Sequence, residues 1–317
     1  MAKNKALISG ITGQDGAYLA RHLLELGYEV IGSSRDSQEC DKKRLIKLGI
    51  LDDIELISIA PNDFGSVLKA IKSHLPNEVY NLAGLTSVSL SFEQPFESMD
   101  SIAGGTLNFL ESIRLISKDI KLFNAGSSEC FGDTTKQPAN EETTLSPQSP
   151  YAVAKATAFW HVFNYRKIHN IFCCTGIMGN HESSLRPERF VTQKIIKSVK
   201  NISTGDKISL YLGNLDTFRD WGWSPEYVIA MQKMLSSDTP NDYVIATGES
   251  YSLKDFVKIA FDLCNLNYED YTVIDKSLMR ANDVNLSRLD PSKIKNKLGW
   301  EAKTKLPELI EIMLSNR

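Results

Sequence analysis

A tyrosine and a lysine four residues apart, Tyr151 and Lys155, have the spacing that most directly predicts chemistry in this chain. They open a segment from 151 to 165 that contains no proline or glycine and is predicted to be a helix. Residues four apart share a helical face, so the phenol and the ammonium group can point the same way. A free tyrosine has a pKa of about 10, and a fixed cation nearby favours the phenolate. The pair therefore predicts a tyrosine that acts as a general base, although an ordinary helix surface can carry the same spacing.

Three glycines, Gly10, Gly13 and Gly16, could form a turn that binds a dinucleotide, the cofactor on which such a base could act. Glycines permit a tight turn, and the backbone N–H groups at a helix N-terminus can hold a pyrophosphate. The spacing is GxxGxxG rather than GxGxxG, so the prediction rests on the neighbouring elements; the alternative is a turn kept for packing. Those elements form the opening unit of a dinucleotide-binding fold, with a strand at 6–9, a helix at 17–26 and a second strand at 29–33.

The end of the second strand commonly selects between NAD and NADP. An acid there accepts a hydrogen bond from a free 2′-hydroxyl, whereas an arginine pairs with a 2′-phosphate. This chain has Arg35 followed by Asp36, so NADP is favoured and NAD remains open.

A serine and a glutamate, Ser127 and Glu129, directly follow another predicted strand. In parallel sheets the chemistry gathers beyond the carboxyl ends of strands, so Ser127 is predicted to hydrogen-bond a substrate oxygen near Tyr151. Glu129 is then a candidate second base; the alternatives are a strand-end turn and a solvated carboxylate. The fold class implied is α/β with a doubly wound parallel sheet, from strands at 54–59, 78–83, 121–125, 170–178 and 242–246, and helices at 64–73, 95–116, 191–204, 253–264 and 307–315.

Basic residues in the less regular second half could bind a diphosphate, although each could also be an ordinary surface charge. They are Arg186, Lys194, Arg219 and Arg280. The chain is predicted to divide into a dinucleotide-binding part and a sugar-nucleotide-binding part. The first comprises 1–178 with returning segments near 215–250, and the second comprises 179–214 and 251–317.

Composition argues against several classes of protein. The net charge of −3 and pI near 6.0 disfavour a nucleic-acid or anionic-membrane binder. No apolar run approaches the roughly 20 residues that span a bilayer, and the first residues do not resemble a signal peptide. The five cysteines show no metal-ligand spacing, so we predict a reduced, cytoplasmic enzyme without a metal site.

Taken together, the motifs resemble those of extended short-chain dehydrogenases/reductases, and most closely those of the GDP-mannose 4,6-dehydratases. The shared family motifs are the glycine loop, Asn81-Leu-Ala83, Ser127 and the Tyr151/Lys155 pair. Longer strings are similar to the dehydratases: GITGQDG at 10–16, SFEQP at 91–95, SPYAVAK at 149–155, NHES at 180–183, LGNLD at 212–216, RDWG at 219–222 and IATG at 245–248.

The resemblance implies a lyase with an internal redox cycle that acts on a GDP-sugar. Tyr151, held by Lys155, would take the O4 proton while a hydride leaves C4, and Glu129 would remove the C5 proton as the 6-hydroxyl departs. The hydride then returns to C6. Ser127 replaces a common threonine, and Ser128 stands where glucose-nucleotide dehydratases carry an aspartate.

The resemblance also implies two sets of binding residues. Cofactor contacts would be Gly10, Thr12, Gly13, Gln14, Asp15, Gly16, Arg35, Leu82, Ala83, Tyr151, Lys155, His181 and Arg186. Substrate contacts would be Ser128, Asn180, Lys194, Arg219 and Arg280. The expected assembly is a homodimer or a homotetramer.

Several departures from the family pattern leave alternatives open. Asp36 replaces a second arginine and the next loop is short, which weakens the inferences of NADP and of a tetramer. Changes at 60–61, at 185 and 187, and at 223–226 lie around the expected pockets, so GDP-mannoheptose is an alternative substrate. A nucleotide-sugar 4-reductase or epimerase needs Tyr151 but no base at C5. A catalytically silent NADP sensor is the third hypothesis, and such proteins usually lack the tyrosine–lysine pair.

Overall fold

The strands form three sheets within residues 3–279 and 282–315, the part that the computed structural model describes. The strands are β1 (Lys5–Ser9), β2 (Glu29–Ser34), β3 (Ile54–Ser58), β4 (Glu78–Asn81), β5 (Lys121–Ala125), β6 (Cys173–Met178), β7 (Asn180–Glu182), β8 (Leu210–Leu212), β9 (Phe218–Trp223), β10 (Tyr243–Ile245), β11 (Ser250–Ser252) and β12 (Thr272–Ile274). The helices are α1 (Gln14–Glu25), α2 (Lys43–Lys47), α3 (Phe64–His74), α4 (Val88–Glu93), α5 (Pro95–Ser98), α6 (Gly105–Ile116), α7 (Pro150–His169), α8 (Val191–Ser203), α9 (Ser224–Ser236), α10 (Leu253–Asp262), α11 (Ser292–Leu298) and α12 (Leu306–Ser315).

The central sheet has seven strands in the order β10-β6-β5-β4-β1-β2-β3, and all neighbouring pairs are parallel. The chain moves outward from β1 to β3 and then returns to the other side of β1 with β4. Loops after β1 and β4 consequently diverge and leave a crevice at the carboxyl end of the sheet. The predicted doubly wound α/β fold is confirmed.

Both faces of the central sheet are covered by helices with apolar stripes. Leu23 of α1 and Met231 of α9 are buried in the cluster on one face. Ile71 of α3 and Phe109 of α6 are buried in the cluster on the other. Because its two faces are covered, the sheet is made of nearly continuous apolar strands, and its polar groups are concentrated at strand ends.

A second apolar cluster lies among the helices of the second half of the chain. It contains Ile195 of α8, Phe256 of α10 and Leu309 of α12, with Trp221 of β9 packed edge-on against Phe256. Two small sheets, β11-β9-β7 and β12-β8, accompany it. β10 and α9 instead return to the central sheet, so its seventh strand comes from the region after residue 240.

The structure differs from the predicted elements in several places, of which three bear on the sheet and its helices. The helix expected over 95–116 is interrupted by a π-helical stretch, Met99–Gly104, between α5 and α6. The strand expected from 170 begins only at Cys173, because Asn170 ends α7 in the left-handed conformation with φ of 54°. The helix α9 was not predicted. Its first turn holds Pro225, which is tolerated there because the first N–H groups of a helix have no partner within it.

No helix in the described ranges is long and apolar enough to cross a membrane. The 20-residue α7 includes Lys155, Arg166 and Lys167.

Candidate active site

A cavity of about 750 Å³ occupies the crevice between the loops after β1 and β4. The glycine loop forms one wall, and the segment 186–190 forms part of the opposite wall. This volume is typical of ligand sites. Its lining includes most of the predicted cofactor contacts: Gly10, Thr12, Gly13, Gln14, Asp15, Gly16, Arg35, Leu82, Ala83 and Arg186. The other three, Tyr151, Lys155 and His181, lie outside this lining.

The glycine loop is packed too tightly for side chains. Gly10 has φ of +87°, and a Cβ there would lie 3.0 Å from the backbone nitrogen of Ala83. A Cβ on Gly16 would lie 2.3 Å from the Gly10 carbonyl oxygen. Gly13 is the N-cap of α1, so the free N–H groups of the first helical turn border the cavity. This cradle fits the pyrophosphate of a dinucleotide.

Asp15, in the first turn of α1, is engaged by protein groups. Its Oδ2 accepts a hydrogen bond from His181 Nε2 at 2.9 Å, and its Oδ1 accepts one from Ser224 Oγ at 2.8 Å. Burial alone would raise the pKa of Asp15, but the charge of His181 and the hydrogen bonds from His181, Gln14 and Ser224 hold it well below its usual range. Burial alone would lower the pKa of His181, but Asp15 and the Gly179 carbonyl raise it. The pair is therefore an ion pair that ties the glycine loop to β7 and α9.

Gln14 strengthens the same connection. Its Nε2 donates to the His181 carbonyl at 3.1 Å, and its Oε1 accepts from Ser183 Oγ at 2.7 Å. His181 itself has both ring nitrogens occupied, since Nδ1 lies 2.8 Å from the Gly179 carbonyl oxygen. Roles of Asp15 and His181 as cofactor contacts remain predictions, and what the structure shows is that they position the loop.

Arg35 and Asp36 differ in their availability to a ligand. Arg35 lines the cavity mouth, where its guanidinium pairs with Glu97 at 2.5 Å. The Asp36 carboxylate turns back to accept the N–H groups of Gln38 and Glu39, at 2.8 and 3.2 Å, and these bonds lower its pKa. Asp36 is thus occupied by its own turn, whereas Arg35 faces the cavity.

Tyr151 and Lys155 lie on the first turns of α7, next to the end of β5. Ser149 caps the helix, because its Oγ accepts from the Ala152 N–H at 3.1 Å. The buried Lys155 ammonium donates to the Ala125 carbonyl at 2.6 Å and lies 5.8 Å from the centre of the Tyr151 ring. Tyr151 also hydrogen-bonds the side chain of Ser127. The predicted grouping of these side chains is therefore present in the structure.

The expected lowering of the Tyr151 pKa is not found in the structure. Burial raises the pKa of Tyr151, and Glu129 and Cys130 raise it further, against the hydrogen bond from Ser127 and the charge of Arg186. Burial also lowers the pKa of Lys155 to about 8. The helical spacing brings the Lys155 ammonium near the Tyr151 ring, but burial is the largest influence on the pKa of each group.

Glu129 lies in a 3₁₀ turn, Ser128–Phe131, and its backbone N–H donates to the Ser127 hydroxyl at 3.3 Å. The Glu129 carboxylate is mostly enclosed and faces the Arg219 guanidinium, with 3.6 Å between Oε1 and Nε. The second candidate base therefore lies beside a fixed cation.

Arg219 was predicted to bind a substrate diphosphate, but its nitrogens have partners within the protein. Nη1 donates to the Val284 carbonyl at 2.6 Å and to that of Phe218 at 3.0 Å, and Nη2 pairs with Asp283 at 2.9 Å. Only 7% of Arg219 is exposed. In this structure it holds the segment 283–284 against Glu129.

Arg186 remains accessible from the cavity, unlike Arg219. Its Nε lies 3.1 Å from Glu182 Oε2, and its guanidinium stacks 3.6 Å from the centre of the Phe190 ring. One edge of a planar guanidinium held in this way can still meet a ligand.

The remaining predicted substrate contacts are dispersed. Ser128 is buried beside Glu129, and Asn180 lies at the start of β7, opposite Trp221. Lys194 is exposed on α8 and donates to the Tyr211 carbonyl at 2.6 Å. Arg280 lies outside the described residues.

Three residues that the sequence analysis did not assign prove to border or support the cavity. Ser224 anchors Asp15, while Arg44 and Arg189 line the cavity. Arg44 follows two lysines in a charged stretch, and nothing in that pattern distinguishes it from its neighbours.

Comparison with known proteins identifies relatives over nearly the whole chain. A family model described as GDP-mannose 4,6 dehydratase matches residues 7–313. GDP-mannose 4,6 dehydratase 1 of Arabidopsis thaliana is 40% identical over 98% of this chain and 88% of the relative. GDP-mannose 4,6-dehydratase of Vibrio cholerae is 37% identical over 98% of this chain and 93% of the relative.

Solved structures share the fold at lower identity. A dTDP-glucose 4,6-dehydratase from Bacillus anthracis in complex with NAD has a TM-score of 0.84 and 18% identity, over 98% of this chain and 96% of that one. A UDP-glucose 4-epimerase from Thermotoga maritima with UDP-glucose has a TM-score of 0.86 and 21% identity, over 98% of both chains. At these identities the likeness shows the fold alone.

Proposed function

The chain belongs to the GDP-mannose 4,6-dehydratase family, and we infer that it is a hydro-lyase that converts a GDP-sugar into the 4-keto-6-deoxy product. The observation that carries the inference is the match to this family over residues 7–313. That range includes every residue with a predicted catalytic role, namely Ser127, Glu129, Tyr151 and Lys155. The contacts of Ser127 with both Tyr151 and the Glu129 turn support a single site for two proton transfers.

We propose that Tyr151 handles the proton at O4 of the sugar. A nicotinamide dinucleotide, when bound, accepts hydride from C4 and later supplies it to C6. The Ser127 hydroxyl orients the phenol, and Lys155 is fixed beside it by the Ala125 carbonyl. Because burial raises the pKa of Tyr151, the phenol must lose its proton before it can serve as the base.

We assign the second proton transfer to Glu129. A ketone at C4 acidifies the C5 hydrogen, so a carboxylate can remove it. The C5–H and C6–O bonds then break, a C5–C6 double bond forms, and the 6-hydroxyl leaves as water after gaining a proton. Arg219 keeps Glu129 in place, and the mostly enclosed surroundings limit the access of bulk water.

GDP-mannose is the substrate that we favour over GDP-mannoheptose. The departures from the family pattern at 223–226 are explained by contacts within the protein. Ser224 bonds Asp15, and Glu226 accepts the backbone N–H groups of Lys303 and Thr304, at 3.0 and 3.2 Å. Leu185 is buried, and Pro61 and Pro187 both border the cofactor cavity. These changes therefore give no reason to expect a different sugar.

NADP is the cofactor that we favour over NAD. Arg35 faces the cavity, and Asp36 is satisfied by its own turn, so it is poorly placed to accept from a ribose 2′-hydroxyl. Glu97 must release Arg35 before a 2′-phosphate can bind it. Calorimetric titration of the apoprotein with each dinucleotide tests this, and equal affinities would contradict it.

We propose a homodimer formed through a helical face made by α4, α5 and α7. Large apolar side chains are exposed there, with Phe96 89% and Trp160 54% exposed. A two-fold pairing of the same face on two copies would cover them.

The predicted tetramer depends on the loop after β2 reaching a neighbour, whereas α2 here packs on its own cavity through Arg44. Sedimentation equilibrium should give a dimer, and Trp160→Glu a monomer; Leu115→Glu, at another exposed apolar position, should leave the dimer intact.

A cytoplasmic location belongs to the same proposal. All five cysteines are free, and Cys130, Cys173 and Cys174 are buried, as is usual in reducing compartments.

The direct test is incubation with GDP-mannose and, separately, GDP-mannoheptose, followed by analysis of the sugar product by mass spectrometry and NMR. We expect loss of one water and a 4-keto-6-deoxy sugar without net consumption of reduced cofactor. Net oxidation of NADPH with a 4-keto sugar would support the reductase alternative, and a C4-inverted product would support the epimerase. No turnover of either GDP-sugar would contradict the proposal.

A further inference from the structure

The charges around the cofactor cavity do not balance. The N-terminus of α1 would ordinarily contribute positive potential to a bound phosphate, but the ionised Asp15 lies in its first turn. Asp15 is compensated by His181, Arg35 by Glu97, and Arg186 by Glu182. Among the described residues, no carboxylate lies within ion-pair distance of the remaining two cavity arginines, Arg44 and Arg189. Within the described ranges, Arg44 and Arg189 therefore line the cavity without a directly paired carboxylate.

Arg44 is fixed above the glycine loop from outside it. The residue lies on α2, and its Nη1 donates to the Thr12 carbonyl at 3.0 Å while its Nε donates to the Leu185 carbonyl at 2.8 Å. The side chain thus bridges the loop and the segment that leads to Arg186. Burial lowers the pKa of Arg44, attraction from Asp41 partly offsets this, and repulsion from the nearby Arg189 adds to the lowering. The guanidinium remains charged at neutral pH.

Arg189 approaches from the other side of the cavity. Its Nη2 donates to Thr86 Oγ1 at 3.0 Å, in the loop that follows β4. Its guanidinium lies 5.1 Å from the centre of the Phe190 ring, whose other neighbour is Arg186. Two like charges thus face one cavity from segments that are far apart in sequence.

We propose that Arg44 and Arg189 form a cationic clamp on the pyrophosphate of the bound dinucleotide, together with the N–H groups of the glycine loop. A pyrophosphate diester carries two negative charges at neutral pH, which matches two arginines that have no directly paired carboxylate in the part of the chain that the structure describes. This inference rests on the proposed dinucleotide binding, and it assigns roles to two residues outside the predicted cofactor contacts.

The position of Arg44 favours the pyrophosphate over the 2′-phosphate. Its contact is with Thr12, within the glycine loop, whose neighbouring N–H groups are suited to the pyrophosphate. A 2′-phosphate would instead lie near the end of β2, at Ser34 and Arg35. The clamp should therefore act on NAD and NADP alike.

The test is isothermal titration of the apoprotein with ADP-ribose, which has the pyrophosphate but neither the nicotinamide nor a 2′-phosphate. Arg44→Gln and Arg189→Gln should each raise Kd about tenfold, as expected for a lost charge-assisted hydrogen bond. NAD and NADP should lose affinity by the same factor. The dependence of binding on salt should also weaken in each variant, because one ionic contact is removed.

Matched controls are available in both segments. Lys43→Gln removes an exposed charge beside Arg44, and Lys197→Gln removes one near Arg189 that pairs with Glu188. Neither should change the Kd of ADP-ribose more than twofold. Adenosine, which lacks phosphate, should bind Arg44→Gln as it binds the parent protein, since a merely structural defect would weaken both ligands.

Each outcome is decisive. An unchanged Kd of ADP-ribose in both arginine variants would overturn the clamp, and a loss confined to NADP would move Arg44 to the 2′-phosphate instead. Arg189→Gln keeps the test valid if Arg44→Gln fails to fold, because Arg189 is exposed. A parent protein that binds ADP-ribose but does not dehydrate a GDP-sugar would contradict the proposed reaction and leave the clamp supported.

Discussion

Tyr151 and Glu129 lie in one site, but they are held there by different kinds of contact. Lys155, beside Tyr151, is anchored by a backbone carbonyl at the end of β5, and the helix that carries both residues has its own serine cap. Glu129 depends on the side chain of Arg219, which is held in turn by Asp283 and the Val284 carbonyl. One proposed catalytic group is thus positioned by secondary structure, and the other by charged side chains from distant segments. The first arrangement should tolerate change around it better than the second.

The largest expected effect is on turnover in Tyr151→Phe. The phenol is the group proposed to move the O4 proton, so kcat should fall by about 10³-fold or more while the fold is retained. No reduced nicotinamide should form, because oxidation at C4 is blocked. Single-turnover absorbance of the holoenzyme with GDP-mannose measures this, and the unchanged circular dichroism spectrum is the control.

Glu129→Gln should separate the two halves of the reaction. Dehydration should fall by about 10²-fold, since the base at C5 is lost, while oxidation at C4 continues. Reduced nicotinamide should then accumulate, and incorporation of solvent deuterium at C5 should stop. If instead the variant dehydrates at the normal rate, Glu129 is not the base.

Arg219→Gln should affect stability more than any change on the tyrosine side. It leaves the mostly enclosed Glu129 carboxylate without its cation, and breaking such a pair costs about 3 kcal/mol. Urea unfolding followed by fluorescence gives the free energy of unfolding. The exposed Lys194→Gln should change it by less than about 0.5 kcal/mol. Equal free energies of unfolding for the two variants would show that the pairing of Arg219 with Glu129 does not stabilise the fold.

The smallest expected effect concerns the pH dependence of stability on the tyrosine side. Burial lowers the pKa of Lys155 from 10.5 to about 8, so the unfolded chain binds this proton more tightly than the folded protein. The resulting destabilisation is complete below pH 8 and is relieved as pH rises from 8 towards 10.5. Relative to Lys155→Met, the parent protein should therefore gain about 1 kcal/mol in unfolding free energy between pH 7 and 9.

Lys167→Met is the control for this comparison, because Lys167 is exposed on the same helix. Its difference from the parent should not change with pH. If the difference in unfolding free energy between the parent and Lys155→Met also stayed constant with pH, the Lys155 ammonium would not be desolvated.

The contrast between the two sides also explains what could be predicted from the sequence. The fold class and the family were predicted correctly, because β1, the glycine loop and α1 are contiguous and each carries its own pattern. The grouping of Ser127 with Tyr151 followed from the position of both at strand and helix ends. By contrast, the partners of Arg219 lie 64 and 65 residues away in a segment without regular structure, and no local pattern specifies them.

Two electrostatic features, the pKa of Tyr151 and the partners of Asp15, could not be predicted from the sequence. Spacing on a helix placed Lys155 near Tyr151, but the sign of the pKa shift depends on how completely the surrounding elements exclude water. Asp15 looked like a cofactor contact because it lies in the glycine loop. Its partners His181 and Ser224 come from 166 and 209 residues later, and only the folded chain shows them.

The hydrogen bonds of Asp15 also affect when the dinucleotide site is complete during synthesis of the chain. Its carboxylate lacks Ser224 until α9 has left the ribosome, and β6 remains an unpaired sheet edge until β10 follows. A nascent chain that ends near residue 180 would therefore lack both His181 and Ser224 as partners of Asp15 and would have an open apolar sheet edge. Translation through about residue 245 is needed before the dinucleotide cradle is complete, so we expect the cofactor to bind only after most of the protein has been made.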